Sequence, residues 1–333
     1  MKKLSICYLV YNSENNGGNR IIFGQGSRLA EKGSEIVFIL LSGKKPDWLS
    51  FNKNVSFVGI RQIFNKWDIL VATFWPTAYL SCLMQARKKY YFIQGWEMDF
   101  YKSRVLKTAV KISFYFNFTF ITTSTFLEKK IKQINPKSKV YNTNGIGVDA
   151  FFFKLKKGTP LKNKKIIRIL SVVSSYSYAK GIDQLVGVIK ILKKKSKDYR
   201  FILVSSESKT YNKIFDEFIS NASSKNMANV YKNADIFLST SRSEGFSLPI
   251  VESMASGCPV ITTDSGGIND FARNYKNCII VKKVNEIFGK NLIEKVIENK
   301  ILYRQLSRNG RITAKMYNWD DFMVKVEKIF LSS

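Results

Sequence analysis

The sequence predicts an α/β protein of two tandem units, each a parallel sheet covered on both faces by helices. Three observations carry this expectation. The chain has 333 residues, more than one ordinary core accommodates and suited to two domains of roughly 150. Short runs rich in β-branched and aromatic residues alternate with helix-length stretches, the pattern of strands buried on both faces. The alternation breaks at Lys154–Lys165, which holds Gly158, Pro160 and six lysines, and resumes at Ile166. These breaks define a first domain at 1–153, a linker at 154–165, a second domain at 166–316 and a closing segment at 317–333.

In the first unit, Leu4–Val10 reads as a buried strand. Asn19–Lys32 reads as a helix closed by Gly33, the residue type that most readily takes a left-handed C-cap. Strands follow at Glu35–Leu41, Val55–Gly59, Asp68–Thr73, Tyr90–Gln94 and Phe118–Thr123, with helices at Ser103–Tyr115 and Ser124–Ile134. In the second unit the strands are Ile167–Ser174, Arg200–Ser205, Asp235–Thr240, Pro259–Thr263 and Cys278–Val281. Its helices are Gly181–Lys195, Met227–Asn233, Leu248–Ser256 and Glu286–Asn299, and Tyr303–Leu331 divides into two more. Open parallel sheets bind ligands beyond the carboxyl ends of their strands. Functional residues are therefore expected in strand-to-helix loops, facing a cleft between the units.

Composition narrows the chemistry. The formal charge is +29, from 54 basic and 25 acidic residues. Residues 1–157 hold 25 basic and 9 acidic side chains and 158–333 hold 29 and 16, so the excess is global. Such a balance attracts phosphorylated substrates or an anionic membrane face; lysines on solvated faces account equally well for the count. No RNA-binding signature, zinc-finger spacing or helical basic stripe accompanies it, and no nucleic-acid partner is expected. Cys7, Cys82, Cys258 and Cys278 have no CxxC spacing and fit reduced thiols in a reducing cytoplasm. Histidine is absent, which removes the Ser-His-Asp triad, the Cys-His pair and the HExxH zinc site together. No apolar run approaches 18 residues, and Leu4–Val10 is short for a signal-peptide core. A cytoplasmic location is expected, with peripheral contact on the inner face of the membrane as an extension. Lys102, Arg104, Lys107 and Lys111 alternate with Val105, Leu106, Val110, Ile112 and Phe114, a pattern that serves either an anionic lipid surface or a core-facing helix with a solvated side.

The strongest segment runs from Ser243 to Pro259, with Glu244 in the loop after strand Asp235–Thr240 and Glu252 in the next helix. Helical spacing from Ser247 brings Glu252 back near the first turn, so both carboxylates can serve one pocket. The amides of Phe246, Ser247 and Leu248 lie at the helix start, where N–H groups lack helical partners, and Gly245 precedes them. Carboxylates accept hydrogen bonds from sugar hydroxyls and such amides hold phosphate oxygens. The spacing alone fits equally a loop glutamate and a solvated helix glutamate. Lys180, before Gly181 at a helix start, offers a point charge for a diphosphate. In the first unit, Asn15-Asn16-Gly17-Gly18-Asn19-Arg20 joins the first strand to its helix; it is either an anion-holding turn or a plain tight one. Gln94-Gly95-Trp96-Glu97-Met98-Asp99 ends another strand. Glu97 and Asp99 are polar candidates there, and Trp75, Trp96 and Tyr101 suit stacking on a sugar face or simple packing. No Asp-x-Asp pair occurs to hold a divalent ion on a diphosphate, and no metal is expected.

The segment Glu244–Glu252 resembles the E-x7-E motif of the retaining family-four glycosyltransferases. Gly257-Cys258-Pro259-Val260 through Gly266-Gly267 is similar to that family's G-x-P-V-(x)4-G-G run, and Tyr231-Lys232-Asn233-Ala234-Asp235 to its approach to the preceding strand. Asn144-Gly145-Ile146-Gly147-Val148-Asp149 resembles its hinge, Ser124 fits a small-residue position after a strand, and Tyr317-Asn318-Trp319 resembles its closing helix. The resemblance is dense over 225–285 and in register along nearly the whole chain. It implies a GT-B fold: two Rossmann-like domains facing a central cleft, with the C-terminal helix crossing back to the N-terminal domain. It further implies metal-independent, retaining sugar transfer from a nucleotide-sugar donor to a glycan or lipid-linked acceptor, in bacterial cell-surface polysaccharide synthesis, with no cofactor. Glu244 would contact the donor sugar and Glu252 the ribose. Gly17, Gly18, Gly245, Phe246, Ser247, Leu248 and Lys180 would hold the donor, and Asn19, Arg20, Trp75, Trp96 and Tyr101 the acceptor. The family's arginine five residues before the lysine is Ser175 here, which leaves Lys180 as the main cation, aided by Arg242 or the Ser175 hydroxyl. Related enzymes carry a histidine near Gln94–Asp99; this chain has Glu97 and Asp99 instead. A catalytically degenerate subunit supporting a partner transferase is the alternative.

Overall fold

The computed structural model describes residues 4–154, 166–173, 178–195, 198–205, 213–220, 224–285 and 291–332. The chain divides into two compact units. One comprises the residues up to Ile146 together with those from Asp320 onward; the other runs from Gly147 to Trp319.

The first unit is built on β1 (Ser5–Val10), α1 (Gly17–Glu31), β2 (Glu35–Leu40), β3 (Val55–Val58), β4 (Lys66–Ala72), α2 (Trp75–Cys82), β5 (Gln85–Ile93), α3 (Arg104–Ser113), β6 (Thr119–Thr122), α4 (Thr125–Ile134) and β7 (Lys139–Asn142). Its sheet is parallel throughout, in the order β3-β2-β1-β4-β5-β6-β7. Both faces of the central strands are buried, so β1 reads as the unbroken apolar run of a covered sheet rather than an alternating one. Helix α1 starts two residues before the expected Asn19, because the Asn16 side chain caps it by accepting from the Asn19 amide. It ends as expected at Gly33, whose φ of +95° permits the pair of closing bonds Gly33 N–Ala30 O and Ser34 N–Leu29 O. Ser103 and Ser124 cap α3 and α4 in the same way.

The second unit contains α5 (Phe151–Lys154), β8 (Ile167–Val172), α6 (Ile182–Lys195), β9 (Tyr199–Val204), β10 (Glu217–Ile219), α7 (Ser224–Asn233), β11 (Ile236–Ser239), α8 (Leu248–Ala255), β12 (Val260–Thr263), β13 (Ile279–Val281), α9 (Leu292–Glu298) and α10 (Lys300–Ala314). Its parallel sheet has the order β10-β9-β8-β11-β12-β13, the same topology as the first. The core gathers β8, β9, β11 and β12 side chains against α6, α9 and α10. Of the helix expected at Glu286–Asn299, the part before 291 lies outside the described residues, as does most of the expected linker.

The unit boundary falls at Ile146/Gly147, earlier than the sequence places it. Residues 147–154 pack with the second unit. Val148 bridges Asn318, Asp149 accepts the Trp319 indole N–H at 2.8 Å, Phe152 meets Tyr231 edge-on, and Arg311 donates to the Phe153 carbonyl at 2.7 Å. Composition marked the lysine-rich stretch, but side-chain contacts set the boundary. The last helix, α11 (Trp319–Leu331), lies with the first unit from Asp320 on, three residues later than the expected 317. Phe322, Met323, Val326, Ile329 and Phe330 are buried, Tyr90 donates to the Ile329 carbonyl, and Lys88 reaches the carbonyls of Phe330 and Ser332 at the negative helix end.

Candidate active site

Both sheets reverse their strand order once, between β1 and β4 in the first unit and between β8 and β11 in the second. In open α/β sheets, ligands bind at such a reversal, beyond the carboxyl ends of the two strands. In the second unit that position is occupied by an ion pair. The loop after β8 ends in a tight turn at Tyr178–Lys180, and the loop after β11 carries Glu244 into α8. Lys180 Nζ grips both carboxylate oxygens of Glu244, at 3.0 and 2.9 Å, with both side chains mostly withdrawn from solvent.

Backbone contacts hold this pair. The amides of Arg242 and Ser243 both donate to the Ala179 carbonyl, at 2.7 and 3.2 Å. Gly181 sits at φ +60°, and a Cβ there would lie 2.1 Å from the Thr240 carbonyl oxygen, so only glycine lets the Lys180 turn approach β11. On the other side, Glu244 N donates to Ser265 O and Gly267 N to Glu244 O. A Cβ on Gly267 would lie 2.1 Å from the Gly245 carbonyl oxygen. The Lys-Gly and Gly-Gly elements of the sequence are thus the packing conditions that bring Lys180 and Glu244 together.

The remaining expected donor residues divide. Ser247 takes a left-handed φ of 70° as the cap of α8, and the first helical bond runs from Ile250 N to Ser247 O, so the amides of Gly245, Phe246, Ser247 and Leu248 lie ahead of the helical ladder. The Phe246 ring itself packs on Phe271 and Tyr317 in the core, and Leu248 is buried, so these two offer backbone, not side chain. Glu252 is no solvated helix residue: it is buried, and its Oε2 accepts the Tyr231 hydroxyl at 3.0 Å. Arg242 does not point beside Lys180 as a second free cation. It forms a two-pronged pair with Asp183 at 2.8 and 2.5 Å, donates to the Tyr178 carbonyl at 3.0 Å, and stacks 4.3 Å from the Tyr178 ring centroid. The guanidinium holds the Asp183 carboxyl below its ordinary range. Ser175 lies outside the described residues.

In the first unit, Gly17 and Gly18 form the first turn of α1 beside the β1–β4 reversal, and Gln94 Nε2 donates to the Gly18 carbonyl at 3.2 Å. Asn19, expected on an acceptor, is turned inward instead. Its side-chain amide donates to Asn12 O, Asn12 Oδ1 and Glu14 O and braces its own loop. Arg20 Nε bonds Asn15 Oδ1 at 2.8 Å. Trp96 is also corrected: it is a core residue stacked 5.3 Å from Phe114 with rings 6° from parallel. Trp75 and Tyr101 do meet at the strand ends, where the Trp75 indole N–H donates to the Tyr101 hydroxyl at 2.9 Å. Glu97 is buried; its Oε2 accepts from the Tyr91 hydroxyl at 2.8 Å and from the Trp75 amide, the first of α2, at 2.9 Å. Burial pushes its carboxyl up to about 8, against the lowering effect of those two bonds. Asp99 is half-buried in the same turn, its amide bonded to the Trp96 carbonyl.

Three aromatic residues escaped the sequence reading. Tyr11 follows β1, Phe74 follows β4, and Phe100 ends the turn after β5; they connect as Tyr11–Phe74 at 5.6 Å and Phe74–Phe100 at 6.4 Å, with Trp75 adjoining. Tyr11 and Phe100 remain 46% and 37% exposed, which leaves an aromatic shelf across the β1–β4 reversal. The only sequence signal was position directly after a strand. Asp183 gives no sequence signal, its partner lying 59 residues away, and the pairing of Tyr231 with Glu252, 21 residues apart, is equally silent in the sequence.

Comparison with known proteins assigns the class. Residues 153–313 match the family described as Glycosyl transferases group 1. An uncharacterized glycosyltransferase of Haemophilus influenzae is 25% identical over 95% of this chain and 96% of its own length. An uncharacterized glycosyltransferase of Methanocaldococcus jannaschii is 24% identical over 68% of this chain and 64% of its own. The N,N'-diacetylbacillosaminyl-diphospho-undecaprenol alpha-1,3-N-acetylgalactosaminyltransferase of Campylobacter jejuni is 23% identical over 80% and 74%. Among solved structures, Anabaena HepE in complex with UDP and glucose superposes with a TM-score of 0.74 over 99% of this chain and 100% of that one, at 14% identity. The match to that family lies within the second unit, and the two-unit architecture is the GT-B fold. The chain is a glycosyltransferase.

Proposed function

We propose that this enzyme transfers a hexose from a nucleotide-sugar, held by the second unit, to a glycan or lipid-linked acceptor offered to the first, with retention and without a metal. The observation that carries the reading is the Lys180–Glu244 pair at the strand-order reversal of the second unit. A diphosphate arriving there meets an ammonium group whose counter-charge is a carboxylate. Lys180 then shares its charge with the phosphate oxygens, while Glu244 accepts hydrogen bonds from the sugar hydroxyls. The α8 amides add donors for phosphate oxygens, and Glu252 accepts from the ribose. The bond from the anomeric carbon to the diphosphate oxygen breaks, and a bond from the same carbon to the acceptor oxygen forms on the same face. The acceptor proton passes to the leaving phosphate, so no histidine is required. Two comparisons support the substrate classes: HepE was solved with UDP and glucose, and the Campylobacter enzyme is named for a diphospho-undecaprenol-linked sugar. Cell-surface polysaccharide synthesis is the setting such an acceptor implies.

The first unit supports membrane contact at α3. Val110 and Phe114 face the core, whereas Val105 and Ile112 are exposed on the same helix as Arg104 and Lys111. Apolar side chains among cations suit the boundary of an anionic bilayer. Among the described residues no helix is long and apolar enough to cross a membrane. Flotation at low salt should retain the protein on anionic but not neutral vesicles; equal partition would sink the membrane reading. The donor reading is tested by thermal shift and nucleotide release with UDP-, GDP-, dTDP- and ADP-sugars. One nucleotide class should stabilise the protein, indifferent to EDTA, and Lys180→Ala should abolish the effect. Stabilisation by none of them in folded protein overturns the donor site.

A further inference from the structure

We infer that Tyr231 is a positioning residue for nucleotide binding: its hydroxyl fixes the carboxylate of Glu252 in the orientation that receives the donor's ribose. The inference rests on the donor reading of Glu252 given above. Helix α8 is buried along nearly its whole length, from Leu248 through Ala255, and Glu252 is its only ionisable side chain. A carboxylate in such a helix is costly to bury and persists only with hydrogen-bond donors around it. Three rotatable bonds separate its oxygens from the backbone, so a ribose site built on it needs a device that holds one rotamer. Tyr231 is such a device. It is fully buried, and its hydroxyl donates to Glu252 Oε2 at 3.0 Å. Its ring is clamped by Phe152 at 5.8 Å edge-on and Phe237 at 5.8 Å. Phe152 belongs to α5, a few residues into the second unit, and is itself fully buried. A rigid donor on one carboxylate oxygen determines where the carboxylate plane lies before any ligand arrives, and preorganisation of this kind adds affinity without a new ligand contact.

The phenylalanine variant removes the hydroxyl and keeps the ring packing. Titration calorimetry with UDP, GDP, dTDP and ADP identifies the nucleotide bound by the wild-type protein; inorganic pyrophosphate, which lacks a ribose, is the second probe. Tyr231→Phe should weaken that nucleotide by about 3- to 10-fold, the scale of ordering one side chain on binding, and leave pyrophosphate affinity unchanged. In a Glu252→Ala background the same change should have no further effect on nucleotide affinity, since Tyr231 acts on the ribose through Glu252. Equal weakening of nucleotide and pyrophosphate by Tyr231→Phe means a general disturbance of the domain and overturns the inference. Weakening by Glu252→Ala without any by Tyr231→Phe overturns the inference alone. If Glu252→Ala binds the nucleotide as well as wild type does, the donor reading of Glu252 fails and the inference falls with it.

Discussion

Replacing Glu97 by glutamine should change how stability depends on pH, with a sign that follows from burial. Glu97 lies inside the first unit and receives the Tyr91 hydroxyl and the Trp75 amide on one oxygen. Loss of hydration raises its carboxyl from 4.5 to about 8 in the folded protein. Below pH 4.5 the group is protonated in both folded and unfolded chains, and its full contribution is present. Between 4.5 and about 8 the unfolded chain has released a proton that the folded chain keeps, so stability falls as pH rises through this window. The difference integrates to on the order of 5 kcal/mol above pH 8. Glutamine has nearly the same shape, keeps an acceptor oxygen for the Trp75 amide and does not titrate. Urea unfolding from pH 5 to 9 would be followed by tryptophan fluorescence. Four of the five tryptophans, Trp48, Trp67, Trp75 and Trp96, belong to the first unit, so the signal reports mainly on that unit. Wild type should lose stability relative to Glu97→Gln as pH rises, until the variant is the more stable by several kcal/mol at pH 9. Parallel curves, separated by a constant amount across the range, would refute the burial argument.

Three further outcomes follow from the second unit and the last helix. Lys180→Ala removes the partner of a mostly buried carboxylate and should destabilise the second unit by about 1–3 kcal/mol in denaturant titrations, in addition to abolishing nucleotide-induced stabilisation. Gly181→Ala places a methyl group 2.1 Å from the Thr240 carbonyl at a left-handed φ, and should lose at least about 2 kcal/mol, because the Lys180 turn must retreat from β11. If its melting temperature matches wild type, the close approach is not a constraint. Lys88→Ala takes a cation from the carbonyls of Phe330 and Ser332; hydrogen exchange should accelerate selectively in Trp319–Leu331, by the equivalent of about 1 kcal/mol.

Several features were legible in the chain because their causes are local. The apolar runs of β1, β4, β8 and β11 announce covered parallel strands, and Gly33 announces the end of α1, since both depend on a few consecutive residues. A motif resemblance and their places after strands point to Lys180 and Glu244. Their direct pairing, 64 residues apart in sequence, was not legible. The short strands β7 and β10 give no sequence signal, being brief elements whose stability comes from their neighbours.

The sequence by itself determined the two α/β units and a chain with no histidine anywhere. Tertiary structure decided which side chains are available to a ligand. Asn19 turns inward to brace its loop, Trp96 and the Phe246 ring go to the core, and Arg242 is taken by Asp183. The physical reason is that a polar or aromatic side chain satisfies whichever partner the folded backbone brings within about 3–6 Å, and that partner usually lies far along the chain. The unit boundary follows the same rule. Lysine-rich composition pointed to residues 154–165, but the contacts of Val148, Asp149 and Phe152 place the boundary at Ile146, because packed surface, not composition, defines where one core ends.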